Sequence, residues 1–175
     1  MFPILETERL ILREITKEDA GNIFACFSNP DVTKYYGQDP FTSISQAEQL
    51  VSLFEKNYQE KRGIRWGIEL RGNSGIIGTI GFNLLSLQHR RSELGYELHP
   101  SFWGNGYATE AIHKVVQYGF SNLGLNRIGA VVYIENSNSN HVLEKIGFQK
   151  EGILRSYMMQ GGASHDVNVY SLLRE

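Results

Sequence analysis

The chain has 175 residues, of which 41% are apolar and 21% are charged, and its formal net charge is -2 with a sequence pI near 6.2. This length and composition predict a single soluble globular domain over residues 1–175. The small negative charge, without a run of lysine or arginine that could neutralise several phosphates, excludes a nucleic-acid coat protein. There is no stretch of about 18 uncharged apolar residues and no basic leader, so we expect no membrane partner and a cytoplasmic location.

Residues 10–41 predict a strand, a helix and a loop in that order. Residues 10–15 alternate and are rich in β-forming side chains, which is typical of a strand. Thr16 is a suitable N-cap for a helix that Pro30 ends. Residues 31–41 have the polar, tyrosine-containing composition of an exposed loop.

A second helix and a hairpin are predicted next. Ser45 followed by Glu48 forms a capping-box pattern, and Gly63 ends the helix that begins there. Residues 64–70 alternate apolar and polar side chains, which is typical of a strand, and after a glycine-containing turn residues 76–85 are predicted to return as its antiparallel partner.

The most informative stretch is SFWGNGYATEAIHKVVQYGF, residues 101–120. From position 108 onward its apolar side chains recur with the period of one helical stripe. Gly104 and Gly106 let the backbone approach a ligand, and the unpaired N–H groups of the first helical turn favour an anion. Thr109 excludes a dinucleotide fingerprint, and no Walker sequence is present. The pattern therefore predicts either a phosphate site of another kind or only a tight strand-to-helix turn.

The remaining elements complete a mixed sheet. Residues 92–98 and 127–134 are predicted strands on either side of the glycine loop and its helix, and this helical crossover should make them parallel. Ser139 is the predicted cap of a short helix, and strands near residues 149–159 and 166–173 follow. The fold class is therefore α/β (α+β), with one central sheet and about four flanking helices.

Cysteine and histidine usage favours neither a disulfide nor a metal site. Cys26 is the only cysteine, so no intramolecular disulfide can form. Its apolar neighbours on the first predicted helix indicate a packing role rather than a nucleophilic one. The five histidines lack the spacing of known metal motifs, so we expect no metal.

Four motifs spaced along the sequence resemble those of the GNAT superfamily of acetyl-CoA-dependent N-acetyltransferases. WGNGYA, residues 103–108, is similar to its pyrophosphate loop Gln/Arg-x-x-Gly-x-Gly/Ala, with Trp103 where glutamine or arginine usually stands. Residues 135–152, 7–16 and 165–173 resemble the subfamily of ribosomal-protein alanine and serine N-terminal acetyltransferases. The resemblance implies a mostly antiparallel sheet in which one parallel strand pair splays apart around acetyl-CoA.

The resemblance also implies how acetyl-CoA is held. Main-chain groups of Leu98, His99 and Pro100 would pair with the pantetheine arm, and loop amides would hold the pyrophosphate. Asn136 and Ser139 match positions that contact the cofactor near its sulfur. The implied loop contacts are Trp103, Gly104, Asn105, Gly106, Tyr107, Ala108 and Thr109.

Attack of an amine on a thioester needs a deprotonated amine, an oxyanion donor and a donor to the departing sulfur. Glu93 and Glu97 would share one strand face beside the thioester, and we predict Glu97, the nearer one, as the base. Solvated carboxylates on a sheet face are the alternative. A strand N–H near Leu98 would serve the oxyanion. Many superfamily members have a tyrosine acid where this chain has Leu143, so Ser139 or water would take its place.

The predicted acceptor is the α-amine of a protein N-terminus. Deprotonating an α-amine with a pKa of about 8 costs only about 1.4 kcal/mol at pH 7, whereas deprotonating a lysine with a pKa of about 10.4 costs about 4.6 kcal/mol. A polyamine or aminoglycoside acceptor, or a non-catalytic acyl-CoA-binding domain, are alternatives. Related proteins bring the segments of Tyr35, Tyr36 and Asp166 to the acceptor side, although tyrosine packing and a turn cap at Asp166 are equally consistent. A homodimer is compatible with the subfamily.

Overall fold

The computed structural model describes residues 1–175 and contains eight strands and five α-helices. The strands are β1 (Leu5–Glu6), β2 (Leu10–Glu14), β3 (Ile64–Leu70), β4 (Ile76–Ser86), β5 (Arg91–Leu98), β6 (Arg127–Tyr133), β7 (Gln149–Gln160) and β8 (Ala163–Leu173). The helices are α1 (Ala20–Phe27), α2 (Pro30–Thr33), α3 (Ile44–Gln59), α4 (Tyr107–Ser121) and α5 (Ser137–Ile146). None of these helices has both the length and the apolar content that a bilayer crossing requires.

All eight strands belong to one sheet, in the order β1-β2-β3-β4-β5-β6-β8-β7. Every neighbouring pair is antiparallel except β5 and β6, which are parallel and are joined by the crossover helix α4. This arrangement confirms the predicted mixed, mostly antiparallel sheet and its single parallel pair.

The parallel pair is hydrogen-bonded over a short distance only. Residues 91–93 of β5 are in register with residues 127–129 of β6, and the two strands then separate. From Leu94 to Leu98, β5 remains paired with β4 on its other side. One edge of β5 is therefore free beside the opening, as the resemblance implied.

Helices cover both faces of the sheet. Ile77 belongs to the larger apolar cluster, which α4 and α5 complete, whereas the adjacent Ile76 belongs to a smaller cluster with α1 and α3. Successive residues of a strand point to opposite faces, so the two clusters lie on opposite sides of the sheet. Cys26 is buried in the smaller cluster, where burial raises the pKa of its thiol to about 12. Its predicted packing role is confirmed.

The chain between β2 and the end of α2 differs from the prediction. Thr16 caps a 3-10 turn at Lys17–Asp19, with Asp19 completing a capping box, and α1 begins only after this turn. The predicted loop also contains the short helix α2. Asn29 caps that helix by accepting a hydrogen bond from the Asp31 N–H, and proline occupies its first position.

Helix α3 begins two residues earlier than predicted. Its cap is Ser43, and Gln46 completes the capping box by accepting a 3.1 Å hydrogen bond from the Ser43 N–H. Ser45 and Glu48, which form the same sequence pattern, lie inside the helix. Two overlapping capping patterns occur here, so spacing alone did not identify the one that the chain uses.

Candidate active site

A cleft of about 600 Å³ opens where β5 and β6 separate. Its walls come from the end of β5, the glycine loop with the first turn of α4, the start of α5, and α2 with the loop that follows. The predicted site residues in its lining are Tyr35, Tyr36, Glu97, Leu98, Trp103, Gly104, Gly106, Tyr107, Ala108, Thr109, Asn136 and Ser139. His99, Pro100, Asn105 and Asp166 do not belong to this lining. The fold thus brings distant sequence motifs to one site.

The glycine loop has the properties of an anion site. Gly104 and Gly106 have φ angles of +77° and +79°, in the left-handed region that glycine adopts at little cost. None of the backbone N–H groups of residues 104–109 donates a hydrogen bond within the protein. These donors lie at the positive end of α4, where a diphosphate fits them in both charge and hydrogen bonding.

Arg9, in the turn between β1 and β2, supports the loop from behind. Its guanidinium donates to the Asn105 carbonyl oxygen over 2.8 Å and to the Glu110 carboxylate over 2.7 Å, and it lies 4.7 Å from the centre of the Tyr107 ring. Glu110 also accepts a 2.6 Å hydrogen bond from the Thr7 hydroxyl. Burial acts to raise the pKa of Glu110, but the hydrogen bonds from Thr7 and Arg9 hold it below its usual range. These contacts fasten the first turn of α4 to the N-terminal motif.

We expect Arg9→Met to raise KM for acetyl-CoA about three- to tenfold, because it removes hydrogen bonds that hold the loop but no group that touches the reacting atoms. The value of kcat should change less than about twofold. Steady-state thiol release with acetyl-CoA as the varied substrate measures both. Arg127→Met is the matched control, since it removes a similarly half-exposed ion pair, with Glu151, far from the loop. An equal rise in KM in both variants would contradict a role for Arg9 in the loop.

The free edge of β5 presents the main-chain groups of Leu98 to the cleft. The His99 N–H donates to the Ile77 carbonyl oxygen over 2.8 Å, which makes Leu98 and Gly78 a non-hydrogen-bonded pair. The Leu98 N–H therefore points away from β4 and into the opening. Its carbonyl oxygen accepts a 2.8 Å hydrogen bond from the indole N–H of Trp103. Trp103 thus orders the approach to the loop, where the resemblance implied a contact with pyrophosphate.

The neighbouring main-chain groups differ from what the resemblance implied. The His99 N–H is used by β4, and its carbonyl oxygen accepts from the Phe102 N–H over 3.0 Å. The carbonyl oxygen of Pro100 accepts from the Trp103 N–H over 3.1 Å, and proline has no N–H to offer. A short 3-10 turn at Pro100–Phe102 is the reason for these contacts. The expected pantetheine donors are therefore reduced to Leu98.

Glu97 lies in a buried polar cluster below the cleft. Its carboxylate accepts hydrogen bonds from Arg65 over 2.5 Å, from the Tyr36 hydroxyl over 2.8 Å, and from the Thr79 hydroxyl. Arg65 also donates to the oxygens of Tyr36 and Thr79, both over 2.8 Å. The side chains of Arg65 and Glu97 are only 4% and 3% exposed. Burial raises the pKa of Tyr36, so the phenol stays protonated and continues to donate.

These contacts bear on the prediction that Glu97 is the base. Both carboxylate oxygens are already bound, and a proton on Glu97 would leave the Arg65 guanidinium buried without a counterion. Glu93, on the same strand face, lies where β5 and β6 are still paired and is outside the cleft lining. The base role of Glu97 stays a prediction, which its surroundings do not favour.

Ser139 is placed beside the opening, although it is not the cap of α5. Asn136 is the cap, and its side-chain oxygen accepts a 3.3 Å hydrogen bond from the Ser139 N–H. The Ser139 hydroxyl instead forms a 2.6 Å hydrogen bond with the hydroxyl of Tyr96 on β5. Leu143, at the position of the usual tyrosine acid, is fully buried in the larger core. Ser139 and Tyr96 are thus the hydroxyl groups that meet across the diverging elements.

The loop with Tyr35 and Tyr36 is fastened to the last hairpin. The side-chain amide of Gln160 donates to the carbonyl oxygens of Thr33 and Gln38 over 2.7 Å and 2.8 Å. Its oxygen accepts a 2.9 Å hydrogen bond from the Tyr133 hydroxyl. One end of β7 therefore positions the loop that forms the outer wall of the cleft.

Asp166 lies elsewhere. Its carboxylate accepts a 2.7 Å hydrogen bond from the Ser156 N–H, where β7 is irregular and Ser156 has a φ of +51°. Asp166 therefore supports a bulge in the hairpin and is outside the cleft lining. Its expected place on the acceptor side is not found, and the alternative of a backbone cap describes it better.

Sequence reasoning missed three residues of this site. Tyr96 lies within the predicted strand 92–98, where its hydroxyl gives no separate signal. Arg65 is one of the polar residues that alternate along the predicted strand 64–70, and this pattern does not indicate burial. In the structure a Cβ at Gly95 would lie 2.9 Å from the Arg65 guanidinium, so the lack of a side chain there makes room for it. Arg9 belonged to a recognised motif but had no assigned contact. Only the tertiary arrangement shows where these side chains meet.

Comparison with known proteins agrees with this geometry. A family model described as an acetyltransferase (GNAT) domain matches residues 9–149. The Bacillus subtilis protein named "Uncharacterized N-acetyltransferase YoaA" is 60% identical over 99% of this chain and 98% of its own length. Another B. subtilis protein, named "Putative ribosomal N-acetyltransferase YdaF", is 31% identical over 80% of this chain and 75% of its own. The structure of spermidine N-acetyltransferase from Vibrio cholerae with CoA and spermine is similar with a TM-score of 0.84 and 26% identity, covering 95% and 96% of the two chains.

The family match, the free amides at the start of α4 and the separated parallel strands point to one conclusion. The residues present fit coenzyme A, because a diphosphate suits the loop and the free edge of β5 offers a donor to an extended arm. The chain belongs to the GNAT acetyltransferase family and is an acetyl-CoA-dependent N-acetyltransferase.

Proposed function

We propose that this enzyme acetylates the α-amine of a protein N-terminus, of the ribosomal-protein type, by direct attack in a ternary complex. The observation that carries this proposal is the lack of a free inner carboxylate in the cleft. Glu97 is neutralised by Arg65 at 2.5 Å. The other carboxylate of the lining is Asp31, and Lys34 in the same lining carries the opposite charge.

This charge pattern favours an acceptor that brings little charge and needs little help to lose a proton. A neutral α-amine is available at pH 7 for about 1.4 kcal/mol, less than a third of the cost for a lysine side chain. A polyamine carries several positive charges, and its recognition requires several unpaired carboxylates. The cleft lining supplies at most one. The ribosomal name of one relative supports the protein acceptor, and the spermidine enzyme keeps the polyamine as the second candidate.

The residues of the cleft suit the steps of direct transfer. Bound acetyl-CoA supplies the thioester carbon that the amine attacks. The free edge of β5 offers main-chain N–H groups near Leu98 to the opening, and one of them would donate to the oxygen of the tetrahedral intermediate. Ser139 would donate to the sulfur as it departs. The extra proton of the amine goes to solvent, since Glu97 is held by its three donors.

The acceptor is tested by thiol release from acetyl-CoA with a panel of amines. The panel contains peptides with free alanine or serine N-termini, the same peptides blocked at the N-terminus but with an internal lysine, spermidine and an aminoglycoside. We expect the highest kcat/KM with the free N-termini. A higher value with spermidine, or with the blocked lysine peptide, would overturn the proposed acceptor.

The pH dependence tests whether the enzyme uses a base. We expect log kcat/KM to rise with pH with a slope near one and to level off near the pKa of the acceptor α-amine, about 8, because the neutral amine is the reacting form. This midpoint should move with the acceptor when peptides of different α-amine pKa are compared on the unaltered enzyme. Glu97→Gln should lower the rate without changing this shape. A midpoint that is independent of the acceptor and is lost in Glu97→Gln would instead identify Glu97 as the base.

A further inference from the structure

The hydroxyl groups of Tyr96 and Ser139 form a bridge between two elements that otherwise diverge. Tyr96 is on the free part of β5, Ser139 is in the first turn of α5, and both line the cleft. Their oxygens are 2.6 Å apart. Neither hydroxyl has another hydrogen-bond partner in the protein, so this contact is not part of a larger structural network.

The direction of this hydrogen bond follows from the acidity of the two groups. A phenol, with an ordinary pKa of about 10, is a far stronger acid than an alkyl hydroxyl and is the better donor. Burial raises the pKa of Tyr96, an effect that the contact with Ser139 only partly offsets, so the phenol keeps its proton. When Tyr96 donates to Ser139, the hydrogen of Ser139 has no acceptor in the protein and is free for a ligand in the cleft.

We propose that Tyr96 and Ser139 form a two-residue hydrogen-bond chain that stabilises the departing thiolate of coenzyme A. Ser139 is the catalytic residue of this pair because it touches the sulfur, and Tyr96 is a positioning residue that acts through it. This hydrogen-bond chain replaces the single tyrosine acid of other family members, whose position is Leu143 here. This inference rests on the proposed role of Ser139 at the sulfur but not on the identity of the acceptor.

The hydrogen-bond chain stabilises the negative charge of the thiolate while both hydroxyl groups keep their protons. As the C–N bond forms and the C–S bond breaks, the electron pair of the C–S bond goes to sulfur. A thiol has an ordinary pKa of about 8.5, below the value of about 10 for a phenol, so the thiolate does not remove the proton of Tyr96. Donation from Tyr96 polarises the Ser139 hydroxyl and strengthens its own donation to sulfur. The thiolate takes its proton from solvent after release.

The test combines Tyr96→Phe, Ser139→Ala and the double variant, measured by thiol release with a free alanyl peptide and with spermidine. We expect kcat to fall about 100-fold in Ser139→Ala, which loses the direct donor. It should fall about tenfold in Tyr96→Phe, which loses only the second donor of the chain. The double variant should be no slower than Ser139→Ala within about twofold, because Tyr96 acts through Ser139. The Kd of acetyl-CoA by calorimetry should stay within about twofold throughout.

Tyr118→Phe is the matched control, because it removes a partly buried hydroxyl that has no hydrogen-bond partner and is outside the cleft lining. Its kcat should be unchanged. If the fall in kcat of the double variant equalled the product of the two single effects, the proposed hydrogen-bond chain would be overturned. A kcat of Tyr96→Phe within twofold of the unaltered enzyme would overturn it as well. Weaker acetyl-CoA binding that accounts for the whole loss would show a structural role and would also overturn it. Activity with spermidine alone, or with another amine of the panel alone, would refute the proposed acceptor, and the variants would then be compared with that amine.

Discussion

Replacing Arg65 by methionine is expected to lower the free energy of unfolding by about 3–5 kcal/mol, because Glu97 would then be a buried carboxylate without its cation. The two side chains are almost completely buried and are joined at 2.5 Å, so solvent cannot replace the lost partner. Urea denaturation of the unaltered protein and the variant measures the difference. The double variant Arg65→Met/Glu97→Leu should recover part of the loss, since it leaves no unpaired charge, although the buried hydroxyls of Tyr36 and Thr79 then lose their partners.

Arg62→Met is the control for this experiment. Arg62 forms an ion pair with Glu60, in which the two side chains are 60% and 43% exposed. A pair of this kind contributes less than about 1 kcal/mol. Equal destabilisation by the two single variants would show that Arg65 and Glu97 do not depend on each other in the way the buried cluster indicates.

Replacing Gly106 by valine is expected to weaken acetyl-CoA binding by at least about tenfold. Gly106 has a φ of +79°, which costs a β-branched residue about 1–3 kcal/mol. The loop would relieve this strain by rotating the backbone, and the amides of the first turn of α4 would no longer converge on one anion. Calorimetric titration of acetyl-CoA into the folded variant measures the change in Kd.

Gly72→Val is a matched control for the loop variant. Gly72 has nearly the same φ, +83°, and lies in a turn with open space around it, whereas a Cβ at Gly106 would make an ordinary contact with the Arg9 guanidinium at 3.4 Å. Gly72 is outside the cleft lining. Both variants should lose similar stability, and only Gly106→Val should lose affinity for acetyl-CoA. If Gly72→Val weakened binding as much, the loss would reflect general destabilisation rather than the loop.

Much of the fold could be predicted from local patterns. The stripe of α4 and the alternation of β3 are periodic signals that each segment carries by itself, so the predicted bounds of these elements agree with the structure within a residue or two. The parallel pairing of β5 and β6 followed from the helix between them. The start of α3 was wrong by two residues, because Ser43 with Gln46 and Ser45 with Glu48 satisfy the same local rule.

The site was predictable where it depends on backbone and less so where it depends on side chains. Gly104 and Gly106 indicated the loop, since left-handed backbone has a strong sequence preference. The contact of Arg65 with Glu97 joins positions 32 residues apart through the sheet register, and no local pattern reports it. The same holds for the 43-residue separation of Tyr96 and Ser139.

The three-residue contact between β5 and β6 has a consequence for how the sheet responds to cofactor. It divides the sheet into a five-stranded half and a three-stranded half, joined directly by few main-chain bonds. A pantetheine arm lying along the unpaired edge of β5 would occupy the position of a further strand and connect the two halves. Hydrogen exchange at the amides of Tyr96 and Leu98 should therefore slow when coenzyme A binds, and the two halves should then melt as one unit.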